Sequence, residues 1–334
     1  MSTDFAAASV GTEALETPLV SAVIATHRRP SLVTVAIESA LKQSLEAVEV
    51  VVVVDGPDDP ETIAILEAIE DPRFRFVVLP TNLMAAGARN EGVKVARAPW
   101  VAFLDDDDEW LPEKLEKQLA LAIGSRFDRP IVASRLIADT DKGSFVWPER
   151  LPEVGESIGD YLFIRDSLFQ GERMLLTSTL FVARSLLLEV PFVHSRHEDY
   201  DWLLRAGERS GVGLEYVPEA MAIWHFHEGS GLPRLSQIDN WKQSLAWIRS
   251  ARALVSPQAY STFIVQCVCP PAAAVRDWSA FRPLLKEFVF SGRARRFDYA
   301  LFLAMWFVPK ELRHRVRSLL SSRRLESSKG ARVL

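Results

Sequence analysis

Cysteine is nearly missing from this chain of 334 residues: only Cys267 and Cys269 occur. Cysteines one residue apart make a poor disulfide pair, and two are too few for a structural zinc site. Two free thiols in a reducing cytoplasm are expected. Long apolar runs are missing as well. The longest, "YALFLAMWFVP" from Tyr299 to Pro309, falls short of the ~20 residues that cross a bilayer. The opening "MSTDFAAASVGTEALETP" has neither the basic start nor the apolar core of a secretory signal, and residues 1–17 read as a loose tail. Neither G-x-G-x-x-G nor G-x-x-x-x-G-K-[ST] occurs, which argues against a dinucleotide cofactor and against a P-loop.

Positive charge is scarce except near the end. Residues 282–334 hold 13 Lys/Arg against 4 Asp/Glu, a local +9; in a chain of net charge −5, the first 281 residues therefore carry −14. Composition is otherwise that of a folded protein, 48% hydrophobic and 25% charged, so disorder is expected only at the ends. The length suggests about two domains.

What is present is alternation. "LVSAVIA" (Leu19–Ala25) and "VEVVVVV" (Val48–Val54) read as buried strands, the second apolar on both faces. "RFRFVVLP" and "WVAFL" (Trp100–Leu104) are the next two strands. Helical spacing separates them in "LVTVAIESALKQ", from about Glu61 to Ile69, and in "AAGARNEGVKVAR"; "PEKLEKQLALAI" follows with Pro112 near its start. Repeated βα units predict an α/β fold, a doubly wound and mostly parallel sheet flanked by helices. After Pro130 the order loosens. "PIVASRLIA" and "STLFVA" read as strands, "HEDYDWLLRAGERSG" as a helix stopped by Gly211, and "VGLEYVPEAMAIWHFH" as one or two strands. The Gly/Pro-rich "GSGLPR" (Gly229–Arg234) marks a boundary. The expected domains are residues 18–232 and a helical C-terminal region, 233–334, with a basic tail.

Three polar clusters fall at strand ends: "THRRP" (Thr26–Pro30), "DGPDD" (Asp55–Asp59) and "DDDDE" (Asp105–Glu109). In doubly wound sheets the carboxyl ends of the strands face one ligand crevice. Adjacent carboxylates repel, so the third cluster needs a counter-charge. A divalent cation is one, and it would neutralise bound phosphates in place of a glycine loop. The other reading is a solvated acidic turn, with Asp108 or Glu109 capping the next helix.

The succession "VSAVIATHRRPSL", "VEVVVVVDGPDD", "NLMAAGARNEGVKVARAPWVAFLDDDDEWLPEKLEKQ", "HEDYDWLLRAG" and "WHFHEGS" resembles family 2 glycosyltransferases of the GT-A fold over about residues 18–230. That resemblance implies a nucleotide-diphospho-sugar donor, with uracil the commonest base, a Mn²⁺ or Mg²⁺ ion, and transfer with inversion at the anomeric carbon. It assigns Ala25, His27 and Asp55 to the nucleotide base, although the family often has an aromatic ring where His27 stands. Arg89 of "ARN" would pair with a phosphate or hold the acidic turn. The family's D-x-D falls on Asp105–Asp107, with Asp105 and Asp106 on the nucleoside side and Asp107 on the metal. Leu83 and Met84 replace the two small residues the family usually has after the asparagine, which alters the sugar pocket.

Transfer to a hydroxyl needs a base, and in "HEDYDWLLR" the resemblance gives that role to Asp199. A neighbouring Glu198 would raise its pKa by like-charge repulsion. Asp201, two residues on, points elsewhere. Acidic residues at this helix start also serve plain capping. In "WHFHEGS" the family histidine falls on His227, expected at the metal or diphosphate, while His225 reads as a satisfied structural group. The implied acceptor is a glycan or lipid-linked hydroxyl, in cell-surface polysaccharide or glycoconjugate synthesis.

The stretch "FDYALFLAMWFVPKELRHRVRSLLSSRR" sets an apolar, aromatic segment beside arginines. It suits peripheral contact with the anionic inner face of the membrane, or a core helix with a solvated tail. It lacks a nucleic-acid-binding motif, and no nucleic-acid partner is expected. Two other classes compete with the main reading: a non-catalytic nucleotide-sugar or glycan-binding module, and a nucleotidyltransferase. The complete acidic turn and "HED" oppose the first; the poor match of "ATHRRP" to a glycine- and basic-rich loop opposes the second.

Overall fold

The computed structural model describes residues 17–141, 143–167, 171–226, 241–308 and 312–313. The first half follows the βα rhythm. β1 (Val20–Thr26) leads to α1 (Pro30–Leu41), which opens on a proline where no amide donor is needed. β2 (Val48–Val54) is buried along its whole length between β1 and β3, which accounts for its run of valines. α2 (Pro60–Glu67) is capped by Asp59, whose carboxylate accepts the Thr62 amide at 3.3 Å. β3 (Phe74–Val78), α3 (Met84–Val95) and β4 (Trp100–Asp105) complete this half.

Then come β5 (Asp108–Trp110), α4 (Lys114–Ile123), and the paired strands β6 (Arg129–Thr140) and β7 (Gly143–Trp147). Next are α5 (Ile158–Phe163), a 3₁₀ turn at Thr177–Thr179, β8 (Phe181–Ala183), α6 (Arg184–Glu189), α7 (Glu198–Gly207) and β9 (Val212–Phe226). The remaining described elements are helical: α8 (Trp241–Ser250), α9 (Pro257–Phe263), α10 (Cys269–Ala274), α11 (Phe281–Phe290) and α12 (Arg296–Phe307).

The strands form one sheet in the order β3-β2-β1-β4-β8-β6-β9-β5, with β7 on β6. Its first four strands are parallel, as expected. Beyond β4 it is mixed: β8 runs antiparallel to both neighbours, β9 is parallel to β6, and β5 is antiparallel to β9. Several sequence expectations shift here. α4 begins at Lys114 with Glu113 at its cap position, so Asp108 and Glu109 belong to β5 and cap nothing. α7 ends at Gly207; Gly211, at φ 74°, takes the left-handed turn into β9 instead of ending the helix itself. β9 is one strand of 15 residues, bent by register shifts opposite Ser134–Leu136.

The chain divides into two compact units, Met1–Pro152 with Leu175–Ser230, and Glu153–Met174 with Gly231–Leu334. A linear reading expects residues 153–174 in the first domain. They belong to the second because α5 buries Tyr161, Leu162 and Phe163 among its helices. The Phe163 ring lies 5.1 Å from that of Phe263. The Ser256 hydroxyl, capping α9, donates to Asp160.

Candidate active site

The first unit brings three strand ends to one level: Ala25 is in register with both Val53 and Asp105. The polar clusters that follow are tied together by charge. Arg28, in the left-handed region at φ 54°, donates its amide to Asp59 Oδ2 at 2.5 Å and pairs its guanidinium with Asp58 at 2.5 Å. Arg29 reaches the other way, 2.8 Å from Asp106 Oδ1 and 3.5 Å from Asp107 Oδ2. Between them stands half-buried His27, whose Nδ1 is enclosed without a hydrogen-bond partner. Ala25 packs beside the buried Val53, Leu79 and Ala88. Asp55 is buried, and its Oδ1 accepts the Leu83 amide at 2.6 Å, fixing the entry to α3. Met84 at that entry is also left-handed, at φ 62°.

The four consecutive carboxylates do four different things. Asp105 ends β4 and pairs with Arg89 at 2.8 Å. Asp106 turns inward, accepting from Thr26 Oγ1 at 2.8 Å as well as from Arg29. Burial raises its pKa to about 6 against the pull of Arg29 and Thr26, and Asp107 adds to the rise. Burial works against the charge on Arg29, but Asp106, Asp107 and Asp105 outweigh it and hold the guanidinium protonated. Asp107 keeps 26% of its side chain exposed and stands 3.5 Å from Arg29. Asp108 is buried and accepts from Ser178 Oγ at 2.5 Å.

Arg89, on α3, joins this turn to the start of α7. Its guanidinium contacts Asp105 at 2.8 Å, Glu198 at 2.6 Å and Asp199 at 3.4 Å, and its carbon CZ stands 5.8 Å over the Phe192 ring. Burial opposes its charge; Asp105, Asp199 and Glu198 reverse that and push its pKa up. Burial also raises Asp199 and Glu198, with Arg89 lowering both and like charges raising them further. The two acids are not equivalent. Glu198 makes the short bond to Arg89 and is 14% exposed, whereas Asp199 makes the long one and is 32% exposed. Asp199 is thus the more exposed and less tightly held of the two. Asp201 is engaged with Arg205 at 2.6 Å along the helix.

Among the described residues, no group of three or more His, Cys, Asp or Glu side chains is arranged to hold a metal. An ion of the magnesium type takes one or two carboxylates and leaves the remaining positions to substrate phosphates and water. Asp107, partly exposed beside Asp105, offers that donor set; Asp106, turned inward, does not. His227 lies outside the described residues. His225 bonds Glu109 at 2.7 Å.

Sequence reasoning gave no individual role to Arg29, Thr26 or Ser178. Ser178 donates to Asp108, accepts the Asp105 amide at 3.1 Å, and its carbonyl accepts Trp110 Nε1 at 2.7 Å. One serine thus pins both ends of the acidic turn. Thr26 and Arg29 carried a signal only as members of the strand-end cluster Thr26–Pro30; Ser178 carried none.

The pattern of the family described as "Glycosyl transferase family 2" matches residues 21–188, half of the chain. The amylovoran biosynthesis glycosyltransferase AmsB of Erwinia amylovora is 29% identical over 239 residues, 68% of this chain and 76% of that protein. The succinoglycan biosynthesis protein ExoO of Rhizobium meliloti is 30% identical over 237 residues, 67% of this chain and 65% of that protein, a little under two thirds of its length. The UDP-Glc:alpha-D-GlcNAc-diphosphoundecaprenol beta-1,3-glucosyltransferase WfaP of Escherichia coli is 35% identical over 101 residues, 30% of this chain and 40% of that protein. The chain belongs to glycosyl transferase family 2 and is a glycosyltransferase.

Proposed function

We propose that this enzyme moves a hexosyl group from a nucleotide-diphospho-sugar, with UDP as the nucleotide, to a hydroxyl of a glycan or lipid-linked acceptor, inverting the anomeric centre, in polysaccharide synthesis. Relatives named for amylovoran and succinoglycan biosynthesis support the polysaccharide setting. The printed donor and acceptor of WfaP, UDP-Glc and a diphosphoundecaprenol-linked sugar, support the finer reading. An acceptor carried on such a lipid would put the enzyme at the inner face of the membrane.

The observation that carries the mechanism is the Arg89 bridge, which sets the acidic turn and Asp199 on one guanidinium. His27 and Asp55 would flank the base, with Ala25 as wall; Asp105 and Asp106 would take the nucleoside side. Asp107, with His227, would hold a Mn²⁺ or Mg²⁺ ion, which when bound neutralises charge on the donor diphosphate. Asp199 accepts the proton of the attacking hydroxyl as its oxygen bonds the anomeric carbon and the bond to the nucleotide diphosphate breaks. Its raised pKa suits a base that must hold that proton. Arg89 fixes the carboxylate and keeps it from turning to its neighbours.

Calorimetric titration of UDP, GDP and dTDP, each with and without Mn²⁺, tests the donor half on wild type and Asp107→Asn. UDP should bind, more tightly with Mn²⁺, and the metal-dependent part should vanish in the variant. No binding by any of the three would remove the reading.

A further inference from the structure

The aromatic, basic stretch near the C-terminus takes no part in the transfer chemistry. In the second unit, α12 turns Tyr299, Leu303 and Phe307 outward, at 41%, 50% and 62% exposure. Four-residue spacing places all three on one stripe. At the Phe307 end the stripe continues onto Trp278, whose ring centroid is 5.8 Å from that of Phe307 and which is 53% exposed. Val275, beside it, is 63% exposed. A different face fastens the helix to its unit. Leu301, Phe302 and Trp306 are buried, and the Phe302 ring stacks on Phe288 of α11 at 5.3 Å. Tyr299 and Phe307 also touch the unit edge-on, at 5.0 Å from the Phe288 ring and 5.8 Å from the Phe281 ring, yet each keeps a large apolar area exposed beside Leu303, and a contiguous exposed apolar patch marks an interaction surface.

Along this stretch of the chain the exposed charges have one sign; from elsewhere in the unit, Asp166, 63% exposed, pairs with Arg295 just before α12. Between residues 275 and 308, the cations Arg276, Arg282, Lys286, Arg293 and Arg296 are all exposed. The acids there are Asp277, Glu287 and Asp298, and none is exposed. Glu287 is paired with Arg249 at 2.5 Å, and Asp298 is fully buried, accepting the Arg295 amide at 2.9 Å. Arg295 itself is engaged by Asp298 and Asp166. Arg296 stands one turn before Tyr299, at the head of the stripe.

We propose that this face binds an anionic bilayer surface, with α12 lying in the membrane plane. Tyr299, Leu303, Phe307 and Trp278 enter the boundary between headgroups and acyl chains, where Tyr and Trp rings are favoured. The exposed cations meet the lipid phosphates. α12 lies on the surface and does not span it: no described helix is long and apolar enough to cross a membrane. Charge decides against a second copy of the chain as occupant, because a two-fold pairing of this face would set its exposed cations against their own counterparts. The proposal is independent of the donor reading, since it concerns residues outside the active-site unit.

The test is flotation of the full chain with vesicles of equimolar phosphatidylglycerol and phosphatidylcholine, against pure phosphatidylcholine, together with sedimentation of the free protein. Wild type should float with the anionic vesicles, less so in high salt, and much less with the neutral ones. Leu303→Glu alters a side chain that is half exposed, and Tyr299→Glu one that also meets the Phe288 ring; persistence of the fold in each is checked by unchanged thermal unfolding. Each should reduce the floated fraction, and Arg282→Glu with Arg296→Glu should reduce it about tenfold or more. Failure of wild type to float, or equal flotation of these variants, would overturn the proposal. So would sedimentation as a dimer that Leu303→Glu dissociates.

Discussion

Arg89 sits among three carboxylates with 7% of its surface exposed. Replacing it leaves Asp105, Glu198 and Asp199 facing one another in a partly dry site. Arg89→Ala is expected to lose about 3 kcal/mol or more of stability in denaturant unfolding. Arg89→Lys should not restore it, because a single ammonium cannot span the fork that reaches both β4 and α7. His197, just before α7, gives a pH signature. Burial, with Arg196 adding to it, lowers its pKa from 6.5 to about 4. The folded state keeps it neutral, so its contribution is present above 6.5 and is lost as pH falls toward 4. His197→Phe, which preserves a ring against Tyr200, should flatten the fall of stability in that window by up to one proton's worth of slope; an unchanged slope would remove this account. Asp55, Asp105–Asp107 and Asp199 could be picked out as charged residues at a strand or helix end, with their roles supplied by the family resemblance; Arg89, inside α3, could be picked out by that resemblance alone. Thr26, Arg29 and Ser178 could not be given their roles. Their partners lie far along the chain, and a threonine or serine that fixes a carboxylate looks like any other.

At the scale of elements, the site depends on the seat of α3. Gly92, one turn after Arg89, faces β1 and β2, and a Cβ there would overlap Val23 Cγ1 and come within 3.2 Å of Val53 Cγ2. Gly92→Ala should lift the helix from the sheet, destabilise the fold by about 1–3 kcal/mol, and weaken UDP binding although the residue is remote from any ligand. Wild-type UDP affinity in that variant would contradict the role given to α3. The parallel half of the sheet could be read from sequence because its strands are apolar on both faces and alternate with helices. β5 could not, since three residues, two of them acidic, carry no strand signal. Its pairing to β9 comes from a distant strand, and that pairing explains why Asp108 caps no helix.

At the scale of the molecule, residues 153–174 belong with a unit whose other part begins after residue 230. Sequence order conceals this, because nothing in the composition of 153–174 announces a partner that far away. Cutting the chain after Ser230 should therefore not release a well-behaved catalytic fragment. Tyr161, Leu162 and Phe163 would lose their cover, and the fragment should aggregate or unfold without a cooperative transition; a monomeric, cooperatively unfolding fragment would contradict the division. The central claim remains the pairing of a nucleotide site with Asp199 as base. It is tested most directly by Asp199→Asn, measured side by side for UDP binding and for transfer of labelled sugar from UDP-glucose and UDP-GlcNAc to a membrane-lipid extract that wild type glycosylates. The account predicts binding within about twofold of wild type and transfer reduced ~10²–10⁴-fold. Transfer at the wild-type rate with normal binding would contradict it.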